Sequence, residues 1–369
     1  MRRFGMFVLS LLATSLVPLV VLAQPKPGPK TAITDPALAD ADFAIQGEYA
    51  GWMYMPGSGN QYTGLQIVAL GGGKFDAMQY RGGLPGNGWD RATRTKLSGE
   101  MDGDYAVLAG EDVTYFVGGM AAVARDTAGR PLGRLVKVER TSRMMGLQPP
   151  PNAIVLFDGG PTDEMVNPKI TPDGLLMSGV MTKMPVDAFR MHLEFRTPYM
   201  PYARGQGRAN SGVYIQTRYE VQILDSFGLE GVENECGGLY RQTRPDLNMC
   251  LPPLAWQTYD IWFTPPRFAE DGKTKTANAR LTVLHNGVPI HWHREVIAKT
   301  GGGKAEAPQP LPINLQDHGN PVAFRNIWLI PRYGDEAYGW QPARQYQQAG
   351  ATQALCCCGQ KRGLFRRCR

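Results

Sequence analysis

Short runs in which apolar and polar residues alternate recur from residue 43 to residue 330, and they constrain the fold more than any other feature. Alternation with a period of two is typical of half-buried strands. The clearest run covers residues 219–224 and places Glu220 and Gln222 on the face opposite to its apolar residues. Turn residues separate the runs, since the 369 residues include 44 glycines and 29 prolines. No long segment has the 3.6-residue period of a helix, so the sequence predicts an all-β protein.

The chain is long enough to bury two hydrophobic cores, and its pattern changes once. Strand candidates in residues 43–148, with a hairpin of residues 65–70 and 75–80 around a glycine-rich turn, predict a small antiparallel β domain. The prolines at 149–151 cannot continue a sheet and mark a boundary. Beyond them, several strand candidates and the hairpin signal Asn286-Gly287 predict a jelly-roll β-sandwich over residues 152–333.

The first 23 residues have the organisation of a secretory signal peptide. Arg2 and Arg3 precede an apolar run, residues 7–22, and the small residue Ala23 follows it. We therefore expect a mature chain that starts near Gln24 and is secreted or periplasmic. An uncleaved anchor is the alternative, but polar residues and a proline interrupt the run. No later apolar stretch is long enough to span a bilayer, which predicts no stable membrane insertion.

The positive charge of the chain is concentrated at its two ends. The formal net charge is +6, but Arg2 and Arg3 supply two of these charges and five basic residues after position 360 supply five more, which leaves the body close to neutral. The part of the chain between its two ends is close to neutral and lacks the basic surface that binding to nucleic acid requires. We therefore expect no nucleic-acid partner. The proline- and lysine-rich residues 24–42 are interpreted as a flexible lead-in, and residues 334–369 as a basic, cysteine-containing, disordered tail.

Seven short motifs occur in one order within residues 153–331. They are L-F-D-G (156–159), N-S-G-V-Y (210–214), Y-E-V-Q-I-L-D (219–225), G-G-L-Y (237–240), N-G (286–287), L-Q-D-H-G (315–319) and F-R-N-I-W (324–328). This series resembles the 3-keto-disaccharide hydrolase family, whose members are also described as 3-keto-glucoside lyases and hydratases. The resemblance implies a concanavalin-A-like jelly roll related to the β-glucanases, with a carbohydrate site on its concave face.

The sequence departs from the β-glucanases at one place. Those enzymes carry E-x-D-x-x-E on one strand, whereas this chain has Gln222 in place of the middle carboxylate and the shorter Asp225 in place of the last. A retaining glycosidase needs two carboxyl groups about 5–5.5 Å apart. Glu220 and Asp225 reach that separation only through a bulge, so double displacement is not expected.

The chemistry that the resemblance implies is elimination followed by hydration. A ketone at carbon 3 of a sugar acidifies the proton on carbon 2, so that a base can remove this proton and expel the glycosidic oxygen from carbon 1. Glu220 is the predicted base, and His318 is an alternative base or the acid. The full predicted set consists of catalytic Glu220, His318 and Arg325 and substrate-binding Asn210, Gln222, Tyr214 and Asp225. The alternatives are that Arg325 only pairs with an acid and that Asn210 only shapes a turn.

The sequence predicts no cofactor but leaves a divalent metal open. His291 and His293 fall on one strand face, where two exposed histidines are a simpler interpretation than a zinc site. A second possible ligand set, able to polarise the ketone, consists of Glu220, Asp225, Asp317 and His318.

Two of the six cysteines, Cys236 and Cys250, bracket a short loop. In an exported chain this spacing favours a disulfide between them. The four others lie in the tail, where their spacing matches no common zinc site.

Two functions therefore compete. An enzyme that processes oxidised glycosides needs the clustered ionisable groups around Glu220, whereas a lectin-like module that only binds carbohydrate needs aromatic platforms such as Tyr214, Tyr240 and Trp256. The sequence does not indicate an oligomeric state.

Overall fold

The computed structural model describes residues 28–332 and 355–357, and most of the elements in them are strands. The helical elements are the 3-10 helix Pro36–Leu38, the α-helix Ala41–Ile45 (α1) and the 3-10 helix Gly205–Gly207. Within the described residues, no helix has the length and apolar character needed to cross a bilayer.

The first domain is a closed antiparallel barrel of eight strands. They are Gly47–Met55 (β1), Gly59–Gly71 (β2), Lys74–Arg81 (β3), Arg94–Asp102 (β4), Tyr105–Ala109 (β5), Thr114–Gly118 (β6), Ala121–Arg125 (β7) and Pro131–Val138 (β8). Each strand pairs with the next, and β1 pairs with β8 to close the barrel. Every second side chain points inward, so residues such as Tyr49, Leu65 and Tyr115 fill the interior. The pairing of β2 with β3 confirms the predicted hairpin.

The second domain consists of two antiparallel sheets packed face to face. The seven-stranded sheet contains Ile154–Phe157 (β10), Leu176–Met177 (β12), Ala188–Arg196 (β14), Trp256–Thr264 (β17), Ala279–His285 (β20), Val288–Val296 (β21) and Ala323–Arg332 (β23). The five-stranded sheet contains Met165–Val166 (β11), Val180–Thr182 (β13), Ser211–Ile215 (β15), Tyr219–Ile223 (β16) and Asn314–Leu315 (β22). Two short ribbons pair Arg267–Phe268 (β18) with Lys275–Ala277 (β19) and Arg140–Ser142 (β9) with Leu355–Cys357 (β24). The predicted all-β fold with a C-terminal sandwich is confirmed.

One hydrophobic core lies between the two sheets. The seven-stranded sheet contributes Met191 and Phe195, and the five-stranded sheet contributes Val221 and Ile223, all fully buried. Burying side chains of this size stabilises the fold by about 1.5–3 kcal/mol each, before the entropy cost of ordering them. At the predicted hairpin between β20 and β21, Asn286 and Gly287 both have positive φ, as a type I′ turn requires.

The segment before the barrel pairs with the sandwich, which corrects the expectation of a flexible lead-in. Ile33 forms a two-way backbone bridge with Tyr199 of the second domain. The Tyr199 hydroxyl donates to Asp40 Oδ1 at 2.8 Å, and its ring belongs to the barrel core. These contacts fix the described part of the lead-in, residues 28–42.

Two further predictions fall largely outside the described residues. The predicted signal peptide, residues 1–23, lies entirely outside them. Of the predicted tail, residues 334–369, only Leu355–Cys357 is described, and it forms the strand that pairs with β9.

Candidate active site

Glu220 and Gln222 point away from the core of the sandwich, as their alternation in the sequence predicts. On β16 the side chains of Val221 and Ile223 enter the core between the sheets. Their polar neighbours therefore lie on the outer face of the five-stranded sheet. Even so, Glu220 is only 2% exposed and Gln222 only 1% exposed, because other segments cover this face.

The Glu220 carboxyl group occupies space that a missing side chain leaves open on the neighbouring strand. Gly212 lies on β15, where a Cβ atom would stand 2.5 Å from Glu220 Oε1. Tyr214 lies directly opposite Glu220 in the strand register, and its hydroxyl donates a hydrogen bond to the carboxylate. The backbone N–H of Glu220 donates to Thr300 Oγ1 at 2.7 Å, and a Cβ at Gly301 would lie 3.6 Å from Glu220 Oε2. The loop that contains Thr300 and Gly301 therefore covers the carboxyl group.

Burial raises the pKa of Glu220 to about 7, and the hydrogen bond from Tyr214 partly opposes this rise. Among the described residues, no basic side chain forms an ion pair with Glu220. Burial raises the pKa of Tyr214 well above its usual range, so its hydroxyl keeps its proton at neutral pH. A carboxyl group that is half ionised near pH 7 is suited to accept a proton from a substrate.

A cluster of side-chain amides lies beside Glu220. Gln222 Nε2 donates to Gln206 Oε1 at 3.0 Å, and Asn210 Nδ2 donates to the backbone oxygen of Gln206 at 2.8 Å. Gln316 follows β22, and its backbone N–H donates to Gly212 O.

The side-chain oxygens of Asn210, Gln222 and Gln316 are buried and have no hydrogen-bond partner in the described part of the chain. A buried acceptor without a donor costs about 1–3 kcal/mol, which makes such atoms suitable places for the hydroxyl groups of a ligand to donate.

The second domain matches a known protein family. Residues 152–330 match the model of the 3-keto-alpha-glucoside-1,2-lyase-like domain. The chain belongs to this family. Its name refers to a lyase that acts on an oxidised glucoside, so the family implies a carbohydrate substrate.

Three solved structures of candidate glycosyl hydrolases from Parabacteroides distasonis are similar to about half of this chain. One is 31% identical, with a TM-score of 0.47 over 53% of this chain and 91% of that chain. The others are 17% and 21% identical, with TM-scores of 0.35 and 0.34, over 49% of this chain and 95% and 99% of theirs. No curated protein matches the chain.

Arg325 does not lie near Glu220, so its predicted place in the site is wrong. It belongs to β23 in the seven-stranded sheet of the lyase-like domain, where its Nε donates to Glu194 Oε2 at 2.7 Å. Its guanidinium group also lies 4.0 Å from the centre of the Trp256 ring. The alternative, a structural pairing with an acid, is the one observed.

Asp225 is also occupied elsewhere, which excludes it as a partner of Glu220. Its Oδ2 accepts from Arg208 Nε at 2.6 Å, and both side chains are buried. His318 is exposed on the loop after β22, and no described contact joins it to Glu220. The loop itself approaches the site through Asn320, whose Oδ1 accepts from the backbone N–H of Asn210 at 2.8 Å.

The predicted metal ligands do not come together. Among the described residues, no group of three or more histidine, cysteine, aspartate or glutamate side chains could hold a metal ion. His291 is buried and its Nε2 contacts the backbone oxygen of Gly237 at 2.7 Å, whereas His293 has positive φ at an irregularity in β21. The bulge breaks the simple alternation from which a shared face was expected.

Cys236 and Cys250 are both buried, with free thiols that are in hydrogen-bond contact with each other, so the disulfide stays a prediction. Cys236 Sγ lies 3.2 Å from the Tyr259 hydroxyl, and Cys250 Sγ lies 3.6 Å from the backbone oxygen of Leu224. Burial and the neighbouring Cys236 raise the pKa of Cys250, which keeps its thiol protonated.

A second buried cluster lies on the outer face of the seven-stranded sheet, and the sequence analysis did not predict it. His192 Nδ1 is 3.0 Å from Asp260 Oδ1, and its Nε2 is 3.8 Å from Glu194 Oε1. Burial alone lowers the pKa of His192, but the hydrogen bonds and charges of these two acids raise it to about 9.

The linker between the domains covers this cluster. Glu194 Oε1 accepts from the backbone N–H of Gly146 at 2.6 Å, and Trp328 Nε1 donates to Leu147 O at 3.1 Å. Burial raises the pKa of Glu194, but hydrogen bonds from His192, Asn326 and other donors outweigh it and lower that pKa to about 2. The cluster attaches the linker to the sandwich.

Other residues around Glu220 were also missed. Gln206 lies in the short helix Gly205–Gly207, where no periodic pattern marks it. Gln316 does belong to the motif L-Q-D-H-G, which carries part of the family resemblance. The order of the motifs was therefore the signal that could have identified it.

Proposed function

We propose that this protein cleaves 3-keto-glucosides by elimination and hydration, with Glu220 as the general base. The observation that carries the proposal is the buried carboxyl group of Glu220, which has a pKa of about 7 and lies beside amide oxygens that lack donors. Membership of the lyase-like family supports the choice of an oxidised glucoside as substrate.

In the first step, Glu220 removes the proton on carbon 2 and the electron pair of that bond forms an enolate with the ketone at carbon 3. When the ketone re-forms, the electron pair makes a double bond between carbons 1 and 2, and the bond from carbon 1 to the glycosidic oxygen breaks. The leaving oxygen takes up a proton. Water then adds its hydroxide to carbon 1 and a proton to carbon 2, so that the sum is hydrolysis.

The neighbouring groups suit this sequence. Tyr214 keeps its proton at neutral pH and lies beside the base, so once Glu220 has taken up the substrate proton the hydroxyl can donate a hydrogen bond to the oxygen that gains negative charge. The free oxygens of Asn210, Gln222 and Gln316 can accept hydrogen bonds from the hydroxyl groups of the sugar.

The test uses Glu220→Gln, with Glu295→Gln as the matched control, because Glu295 is an exposed residue paired with Arg280. Glu220→Gln should lower turnover of a 3-keto-α-glucoside by at least about a hundredfold, the scale of losing a general base. Glu295→Gln should leave turnover unchanged. Glu220→Gln should be at least as stable as the wild type at pH 8, since ionising the buried carboxyl group costs free energy in the folded state.

Exchange of the hydrogen on carbon 2 with solvent distinguishes elimination from direct displacement at carbon 1. In deuterated water the product should carry deuterium at carbon 2, measured by mass spectrometry and NMR. Cleavage of unoxidised glucosides without this exchange would contradict elimination. Binding of sugars without turnover would instead support the lectin-like alternative.

A further inference from the structure

A cavity of about 230 Å³ lies where the barrel meets the sandwich, away from Glu220. Strands β2 and β3 of the barrel, with Lys96 of β4, form one wall, and residues 204–208 and 225–230 of the second domain form the other. Most of the wall is apolar, and its main apolar members are Val68, Leu70, Met78, Phe227 and Leu229. The cavity is therefore a site that neither domain possesses alone.

Arg208 lines this cavity and has a donor without an acceptor. The residue is 5% exposed. Its Nε donates to Asp225 Oδ2 at 2.6 Å, and its Nη1 donates to the backbone oxygen of Ala69 at 3.3 Å. Its Nη2 is buried and has no hydrogen-bond partner among the residues that the structure describes. Folded proteins rarely leave a charged donor in this state, so the atom indicates an absent acceptor.

A second guanidinium group increases the positive charge of the cavity. Arg204 also lines it, and its described hydrogen bonds all go to backbone oxygens, those of Pro201, Ala203 and Leu70. Burial lowers the pKa of Arg204 and the charge of Arg208 lowers it further, whereas the charge of Asp76 partly opposes both.

The acids of the cavity are engaged with other bases. Asp225 binds Arg208, Asp76 lies 3.5 Å from Lys96, and Glu230 pairs with bases outside the cavity. Within the described residues, no carboxylate forms an ion pair with Arg204. The cavity thus has one guanidinium group without an ion-pair partner among the described residues, Arg204, and one charged donor that is not used, Arg208 Nη2.

We propose that this cavity binds a small organic carboxylate. The carboxylate group accepts a hydrogen bond from Arg208 Nη2 and neutralises the charge of Arg204, while the apolar body of the ligand packs between Val68, Phe227 and Leu229. A water molecule occupies about 30 Å³ in the liquid, so the cavity has room for roughly eight non-hydrogen atoms. The apolar walls favour such a carboxylate over inorganic phosphate, which has no apolar part to bury.

The experiment measures binding to the full chain by calorimetry and by the shift of the unfolding temperature. The probes are hexanoate and benzoate, with hexan-1-ol as the neutral analogue and inorganic phosphate as the anion without an apolar body. Hexanoate or benzoate should bind saturably and raise the unfolding temperature, because a ligand that binds only the folded state stabilises it. Hexan-1-ol and phosphate should bind at least about tenfold more weakly.

Two variants locate the site without breaking the buried pair of Arg208 with Asp225. Arg204→Gln should weaken carboxylate binding at least about tenfold, the scale of a charged hydrogen-bond partner. Leu229→Trp places a large ring at the exposed edge of the cavity, where Leu229 is 41% exposed, and should abolish binding. Ile297→Val changes an exposed residue outside the cavity and should bind like the wild type.

Three results would each overturn the proposal. They are no response of the folded wild type to either carboxylate, equal binding of hexan-1-ol, and tighter binding of phosphate than of hexanoate. Undiminished carboxylate binding by folded Leu229→Trp would also overturn it, since the ligand would then lie elsewhere.

Discussion

Glu220 retains its proton up to a pH near 7 because burial opposes its ionisation. A base must be ionised to accept a proton, so kcat/KM should rise with pH and level off above about 7. Tyr214 favours the ionised form through its hydrogen bond, which lowers the pKa of Glu220. Tyr214→Phe should therefore move the rising limb to higher pH by up to about one unit.

Profiles of kcat/KM between pH 5 and pH 9 check this prediction. The control is Tyr105→Phe, because Tyr105 is an exposed residue of the barrel. A limb that stays in place or moves to lower pH in Tyr214→Phe would show that the hydroxyl does not stabilise the carboxylate.

His192 is positively charged when protonated, whereas Glu220 is negatively charged when ionised. The titration of His192 therefore affects stability in a different pH range. Its pKa is about 9 in the folded state, against an ordinary value of 6.5, because it lies between Asp260 and Glu194. A group with a raised folded-state pKa stabilises the protein below its unfolded pKa and loses this effect as pH rises through the folded pKa.

The free energy of unfolding should therefore fall by up to about 3 kcal/mol between pH 6.5 and pH 9. His192→Gln should remove most of this decline. Denaturant unfolding at a series of pH values measures it, and an equal slope in wild type and variant would contradict the assignment.

At the scale of elements, the site depends on how closely strands β15 and β16 approach. A Cβ atom at Gly212 would lie 2.5 Å from Glu220 Oε1 and 3.1 Å from its Cδ. Because the obstructing atoms are the end of a side chain, Gly212→Ala should displace the carboxyl group and leave the strand pairing intact. Activity should fall at least about tenfold, which corresponds to about 1.4 kcal/mol in the barrier.

Gly160→Ala is the control, since a Cβ there meets only Asp158 Oδ1 at 3.9 Å. Circular dichroism and thermal unfolding verify the fold of both variants. Full activity in a folded Gly212→Ala protein would mean that the position of Glu220 is not critical.

The period of two was sufficient to predict which face of β16 carries Glu220, because the apolar residues of one strand must all enter the same core. It could not predict that Arg325 lies on the other sheet. That depends on pairing between distant strands, since β23 pairs with β10 and β14 whereas β16 pairs with β15. Strand assignment to sheets is a property of topology and is not visible in local alternation.

The alternation of residues in β14 also did not reveal that the outer face of this strand is buried. His192 and Glu194 alternate with core residues, which predicts a solvated face, yet both are buried. The covering segment is the linker at Gly146 and Leu147, which contacts Glu194 and Trp328. A linker has no periodic pattern, so its docking position could not be derived from the sequence.

At the scale of the whole molecule, Tyr199 joins the two domains. Its ring is buried in the core of the barrel although it belongs to the sandwich domain, and its hydroxyl binds Asp40. Tyr199→Ala should cost about 3–5 kcal/mol, the usual range for removing a large buried aromatic ring. Because the contact couples the domains, we expect one cooperative unfolding transition to separate into two.

Differential scanning calorimetry distinguishes the outcomes. Tyr199→Phe is the matched variant, which keeps the ring and removes only the hydrogen bond to Asp40. It should lose about 0.5–1.5 kcal/mol and keep a single transition. A single transition at the wild-type temperature in Tyr199→Ala would show that the domains are coupled by other contacts.

The bridge between Ile33 and Tyr199 also has a consequence for the order of synthesis. Proteins are made from the N-terminus, and early domains generally fold as they emerge. The last barrel strand ends at Val138. Tyr199, whose hydroxyl donates a hydrogen bond to Asp40, lies 159 positions after Asp40 in the chain. During synthesis, the residues before the barrel therefore lack their contacts with Tyr199 until the linker and the first strands of the sandwich have been translated. The core of the barrel, which is made first, is therefore completed only by Tyr199 of the second domain.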